Sequence, residues 1–263
     1  MPIRRSSRDD TPPATGCGTV LGKLRGRPLV HSSSPLETVH GTVSVFEDTP
    51  EEEHQQKTNR SVENHLWPTV DGVVSLPYLI AHKLGNKTND ICEAFKMISQ
   101  KTCISFHERT TEMDYLNFVD GNGCASFVGR RGGPQPVFIG PNCHPGNICH
   151  ELLHALGFYH EHMRQDRDRY ISVLYENIMK GKEQEFLATN ASMQDLPYDL
   201  KSIMHYGKYY FSANGQPTIV AKTKGMNIGQ RRYLSELDVQ RIRKLYSCEM
   251  YVDESQRSEW DQM

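Results

Sequence analysis

No apolar run in the sequence approaches the ~20 residues needed to cross a bilayer, and a mean hydropathy of −0.61 leaves little material for a membrane-embedded body. Charge of one sign is lacking as well. Thirty Lys and Arg stand against 32 Asp and Glu, a net charge of −2 over 263 residues, which gives no basic field for nucleic acid or an acidic lipid surface. No internal repeat is present, which excludes a solenoid. Residues 1–26 are basic and rich in Pro, Ser and Gly, without the continuous apolar stretch of a signal peptide. What the chain does have is seven cysteines and glycosylation sequons at Asn59, Asn86 and Asn190, marks of an oxidising, secretory route. Together these point to a secreted protein whose true amino terminus differs from the one written here.

The length suits one large domain with a smaller flanking segment. Residues 1–57 lack sustained periodicity, end near the acidic run Glu51-Glu52-Glu53, and read as a separate leading segment. From Leu66 onward the pattern becomes regular. Strand character is expected over 72–80, 103–106, 115–119, 125–128 and 137–140. Helical spacing is expected over 90–101, where Ile91, Phe95 and Ile98 share a face, and over 147–156. Ser235-Glu236-Leu237-Asp238 reads as a capping box opening a last helix on which Val239, Ile242 and Tyr246 align. The expected architecture is α+β: sheet and two helices in the first half, an irregular second half with a terminal helix.

The most informative stretch is His150-Glu151-Leu152-Leu153-His154-Ala155-Leu156-Gly157-Phe158-Tyr159-His160. On a helix His150 and His154 lie one turn apart on one face, so both imidazoles can reach one ion. Gly157 can adopt the backbone angles that end a helix and swing the chain back, bringing His160 in as a third ligand. Three His with a fourth position open describe a catalytic zinc site rather than a closed structural one. Glu151, beside the ion without ligating it, is placed to take a proton from water.

This segment, its continuation Glu161-His162-Met163-Arg164-Gln165-Asp166-Arg167-Asp168, and the later Ser202-Ile203-Met204-His205-Tyr206 resemble the astacin family of metzincin peptidases. The resemblance covers roughly residues 58–248. It implies a two-lobed catalytic domain with a cleft floored by a single zinc ion on His150, His154 and His160. By the same likeness Glu151 is general base and acid, Tyr206 is a further ligand that turns to the oxyanion, and Met204 is the methionine of the turn beneath the metal. It implies the disulfides Cys103–Cys248 and Cys124–Cys143. Cys92 and Cys149 depart from the family pattern. They read as a third disulfide or as two buried small hydrophobes, the disulfide being favoured, with Cys17 left over. A Cys149 ligand is disfavoured, because on a helix it lies about 100° from His150. Arg164, Asp166, Arg167 and Asp168 read as ion pairs that fix the loop after the third ligand.

The resemblance also implies a zymogen. Residues 1–57 would be the pro-segment, with Asp48 in Phe46-Glu47-Asp48 as candidate latch on the metal, although the family's glycine is missing there. Cleavage would fall within 57–61 by a trypsin-like protease, and Glu161 would meet the new amino terminus. Residues 249–263 form a short tail. Stretches such as Ile228-Gly229-Gln230-Arg231 and Lys244-Leu245-Tyr246-Ser247-Cys248 are similar to hatching-enzyme and ovastacin-like members. The expected function is therefore a monomeric, secreted zinc endopeptidase acting on extracellular proteins, egg-envelope proteins among them. A catalytically silent binding protein on the same fold is the alternative.

Overall fold

The computed structural model describes Cys17 and residues 65–189 and 196–248. Asp48, the 57–61 segment, Asn59, Asn190 and the tail beyond Cys248 lie outside these residues.

The first half is built on a sheet of five strands in spatial order β2-β1-β3-β5-β4. The strands are β1 (Val74–Ile80), β2 (Ile104–Glu108), β3 (Tyr115–Asp120), β4 (Ala125–Ser126) and β5 (Pro134–Ile139). The β1–β2, β1–β3 and β3–β5 pairs are parallel, and β4 closes the edge antiparallel to β5. Alternation along β1 sends Val74, Leu76 and Tyr78 to one buried face. Against that face packs α1 (Thr88–Ser99), whose Ile91, Ala94, Phe95 and Ile98 make a buried stripe at helical spacing. Phe95 stacks on Phe106 of β2 with ring centroids 4.1 Å apart and lies 4.7 Å from Tyr78.

The second helix, α2 (Pro145–Ala155), starts with Pro145 in its first turn, behind a reciprocal cap between His144 and Asn147. Nearly all of it is buried, including His150, Glu151 and His154. It cannot be read as an ordinary amphipathic helix, since an interior helix has no reason to carry three ionisable groups unless they do something together. Gly146 lets it approach the second half closely: a Cβ there would sit 1.8 Å from the carbonyl oxygen of Arg231.

The second half has little regular structure. A pair of three-residue strands, β6 (Ile171–Val173) and β7 (Ile219–Ala221), runs antiparallel, and α3 (Glu236–Leu245) closes the described chain. Its own small core gathers Ile171, Ile178, Phe186, Tyr198, Tyr206 and Ile219, while α3 returns Val239 and Ile242 to the main core of the first half. The molecule is thus α+β with two cores; α2 gives Ile148, Cys149, Leu152 and Leu153 to the first, while His150 and Glu151 line a cavity with Tyr210 and Arg231 of the second half.

Cys103 is bonded to Cys248 and Cys124 to Cys143. The expected Cys92–Cys149 disulfide is not formed. Cys92 is bonded to Cys17 instead, and Cys149 is a buried free thiol. The reason lies in helix geometry. Cys92 follows Ile91 by one residue, which turns it about 100° off the buried stripe of α1 toward the surface where Cys17 arrives, while Cys149 points into the main core. Cys17 also donates its backbone N–H to the Tyr78 hydroxyl at 3.0 Å.

Candidate metal centre

Three imidazoles converge where α2 ends. The Nε2 atoms of His150 and His154 lie 3.2 and 3.0 Å from Nε2 of His160. Each helix histidine is held from behind: Nδ1 of His150 meets the carbonyl of Ile203 at 2.8 Å, and Nδ1 of His154 meets that of Phe158 at 2.8 Å. A carbonyl only accepts, so both Nδ1 atoms carry the proton and both Nε2 lone pairs face the common point. Lone pairs this close repel unless a cation lies among them. Tetrahedral zinc, with Zn–N near 2.0–2.1 Å, spaces its nitrogens about 3.3 Å apart. The donor set therefore fits one zinc ion, and this cluster is the group of metal-holding side chains found among the described residues. Burial lowers the pKa of His150 and His160 far below the ordinary histidine value, which keeps the rings neutral, as ligation requires.

The local chain explains the third ligand. Gly157 takes φ +102°, and its N–H donates to the carbonyl of His154 at 2.7 Å, ending α2 with a turn that residues bearing a Cβ rarely adopt. Four residues on, the N–H of Glu161 donates to the carbonyl of Met204 at 3.0 Å, which ties the His160 turn to the 202–206 turn.

That second turn is governed from α3. Ser202 Oγ donates to one oxygen of Asp238 at 2.6 Å, and the Ile203 N–H donates to the other at 2.9 Å. Asp238 also completes the reciprocal cap of α3 with Ser235. The carboxylate that caps α3 thus also positions the Ile203 carbonyl, which orients His150. The sequence reveals the cap but not its second task, since only the fold brings Ser202 and Ile203 to it.

Glu151 is buried and lines a cavity of about 140 Å³ together with His150, Asn147, Tyr210 and Arg231. Tyr206 is buried, its ring 4.4 Å from that of His160 and stacked at 3.9 Å on His162. Met204 is buried within the main core beside Ile203. His205 spans two partners, Tyr206 O through Nδ1 at 2.7 Å and the Tyr198 hydroxyl through Nε2 at 2.8 Å. Burial pushes it down to about 4, so it serves as a neutral strut.

Glu161 is met within the chain itself, by Arg241 at 2.8 Å, the Asp199 N–H at 2.7 Å and Arg164 at 3.5 Å. Arg164 grips Asp166 through two bonds, at 2.9 and 2.8 Å. Arg167 donates to the carbonyls of His162 and Phe186 and lies 3.3 Å from Asp168. These contacts fix the loop behind the third histidine and place none of the four side chains at the metal position.

The family model described as Astacin, a peptidase family, matches residues 59–247. Astacin-like metalloendopeptidase of Mus musculus is 41% identical over 201 residues, 74% of this chain and 46% of that protein. Zinc metalloproteinase nas-4 of Caenorhabditis elegans is 42% identical over 190 residues, 69% of this chain and 59% of its own. The chain spans about half the length of the curated relatives it matches. Among solved structures, High choriolytic enzyme 1, a hatching enzyme zinc-protease from Oryzias latipes, superposes with a TM-score of 0.68 at 38% identity, covering 71% of this chain and 96% of that one.

Proposed function

The chain belongs to the astacin family of peptidases, and on that premise we propose that it is a secreted zinc endopeptidase, made as a zymogen, which hydrolyses extracellular proteins. The observation that carries this reading is the convergence of three Nε2 atoms, two of them on rings whose tautomers are set by backbone carbonyls, with Glu151 on the cavity wall beside them.

His150, His154 and His160 hold the ion, which when bound supplies Lewis acidity to the scissile carbonyl and brings water within reach of deprotonation near neutral pH. Glu151, on the cavity wall beside the histidines, would take the proton from the attacking water and deliver it to the departing amine. Its burial in a small cavity keeps bulk water from competing for the proton. Tyr206 would serve as a further ligand to that ion and would donate its phenol hydrogen where negative charge develops on the carbonyl oxygen. Met204 and Asp238 hold the turn on which these groups depend.

Secretion is supported by the three disulfides, which are characteristic of oxidising compartments; no helix among the described residues is long and apolar enough to cross a membrane. The catalytic domain is taken as 58–248, with 1–57 as pro-segment, Asp48 as its latch and 57–61 as the processed site. Glu161 serves as the maturation contact, now shared with Arg241. The hatching-enzyme likeness favours egg-envelope proteins as substrates.

The test is cleavage of a quenched peptide by the trypsin-treated protein. A zinc chelator should abolish it, and Glu151→Gln should lower kcat about 10²–10⁴-fold. Activity that survives both changes refutes the assignment. An inert protein that still binds zinc would instead be a silent binding module.

A further inference from the structure

On the face of the sheet opposite α1, away from the metal centre, three side chains stand in line. Ser75 of β1 and His107 of β2 share that face, because Ser75 pairs with Ser105 and His107 lies two residues further on. Ser75 Oγ is 2.7 Å from His107 Nδ1, and His107 Nε2 is 3.0 Å from Glu112 Oε1. A carboxylate only accepts, so Nε2 carries the ring proton and Nδ1 is the lone pair facing the hydroxyl. The Ser75 hydrogen therefore points at a base oriented by an acid, the arrangement by which activated nucleophiles are recognised regardless of sequence order.

Glu112 is anchored for this part. Its second oxygen accepts from the N–H groups of Thr110 and Thr111 at 2.7 and 3.0 Å. Its carbonyl accepts from Arg109 Nε at 2.8 Å. Burial opposes ionisation, but hydrogen bonds from its own backbone N–H, from His107 and from the Thr110 N–H outweigh it and hold the carboxyl at about 2. The three groups line a cavity of about 290 Å³ whose other walls include Trp67, Pro68 and Met113. Trp67 is fixed by the bond from its Nε1 to the carbonyl of Ala155 at 2.9 Å.

We propose that Ser75, His107 and Glu112 form a second reactive site, a serine nucleophile accepting small apolar acyl groups from uncharged esters. Apolar walls suit the acyl group, and the Glu112 and Asp114 carboxylates on the cavity repel anionic donors. Ser75 Oγ bonds to the ester carbonyl carbon as its proton passes to His107 Nδ1. The C–O bond to the alkoxy group breaks, and that group leaves as the alcohol with the His107 proton. Water then attacks the acyl-serine, giving one proton to His107, which returns it to Ser75 Oγ as the acid departs. Glu112 acts as a positioning residue.

The experiment uses the full chain, an uncharged alkyl fluorophosphonate and p-nitrophenyl butyrate. Peptide mass mapping should find the phosphonyl adduct on Ser75, formed at an unchanged rate when the metal site is chelated. His107→Gln should slow labelling at least 100-fold, and Ser75→Ala should abolish ester turnover, while both variants melt as the parent does. Glu112→Gln should slow labelling about tenfold and move the midpoint of its pH profile downward, which a merely structural role would not do. The other charges near His107 are Glu108 beside it on β2, Asp114, paired with Arg130, and Arg109, which lies over Tyr115; none is altered by these changes. No adduct at Ser75, equal labelling of other serines, or a His107→Gln rate within threefold of the parent overturns the site. Labelling without ester turnover overturns the esterase reaction.

Discussion

Removing the Asp238 carboxylate should weaken the metal site from a distance. Its two oxygens accept from Ser202 Oγ, Ile203 N–H and Ser235 N–H at 2.6, 2.9 and 3.0 Å, and the side chain is buried. Asp238→Ala leaves three buried donors without that acceptor. At about 1–3 kcal/mol each, with part of the loss recovered by relaxation, the cost is roughly 3–6 kcal/mol. A domain of this size loses about 2–4 °C in Tm per kcal/mol, so the melt should fall by roughly 6–24 °C. Asp238→Asn keeps the shape and one acceptor, and should cost about 2–3 kcal/mol. The more telling effect is on zinc. The Ile203 carbonyl fixes the His150 ring at 2.8 Å, and loss of such an outer contact lowers metal affinity about 10–100-fold. Competition against a fluorescent chelator at about 20 °C, well below either melt, separates that effect from unfolding. An Asp238→Asn protein that is less stable yet binds zinc within twofold of the parent would refute the link through Ile203. Ser202→Ala, which removes one strand of the same link, should fall between the two.

Tyr206→Phe keeps the buried ring beside His160 and should lower kcat about 10²-fold with little change in KM; a threefold effect or less would exclude the phenol from the reaction. Replacing Cys103 and Cys248 with alanine opens a link across 145 residues and should cost about 2–4 kcal/mol in urea unfolding; an unchanged midpoint would show the two segments held by packing alone. The acid response of Glu112 follows from its folded pKa of about 2. A carboxyl depressed on folding adds stability above its unfolded pKa, here ~4.5, and that stability fades as pH falls toward about 2. Glu112→Gln should therefore narrow the gap in urea midpoint between about pH 7 and about pH 3, and an unaltered gap would contradict the depressed value.

Some of this molecule is legible in its residues and some is not, for identifiable reasons. The three helices announce themselves by local means: the Ile91, Phe95, Ile98 stripe, the zinc-binding spacing, and the Ser235–Asp238 cap. The first helix starts at Thr88 rather than the expected Asp90, within the usual fraying of ends. Strand β5 begins at Pro134, three residues before its expected start, because Pro134 and Pro136 disguise a strand that pairs with β4 only through Val137 and Phe138. Strands β6 and β7 escape a reading by pattern, since three residues are too few to show alternation. The metal ligands are visible because His150 and His154 stand at helical spacing and His160 follows the glycine that ends the helix. Partners far apart in the chain are not: Asp238 on the 202–204 turn, Ser75 beside His107, and the Cys17–Cys92 bond.

That last bond changes what cutting the chain can do. It joins residues 75 apart, and the 57–61 segment lies between them. A protease acting there divides one polypeptide into two that remain a single covalent molecule, with the same mass on a non-reducing gel and two bands only after reduction. Cys17 would stay bonded to Cys92 of α1, so the cut piece would be held by its tether at an effective concentration of the order of mM rather than diluted. Were the chain cut there, proteolysis and release would be separate events, the first needing a peptidase and the second a reductant.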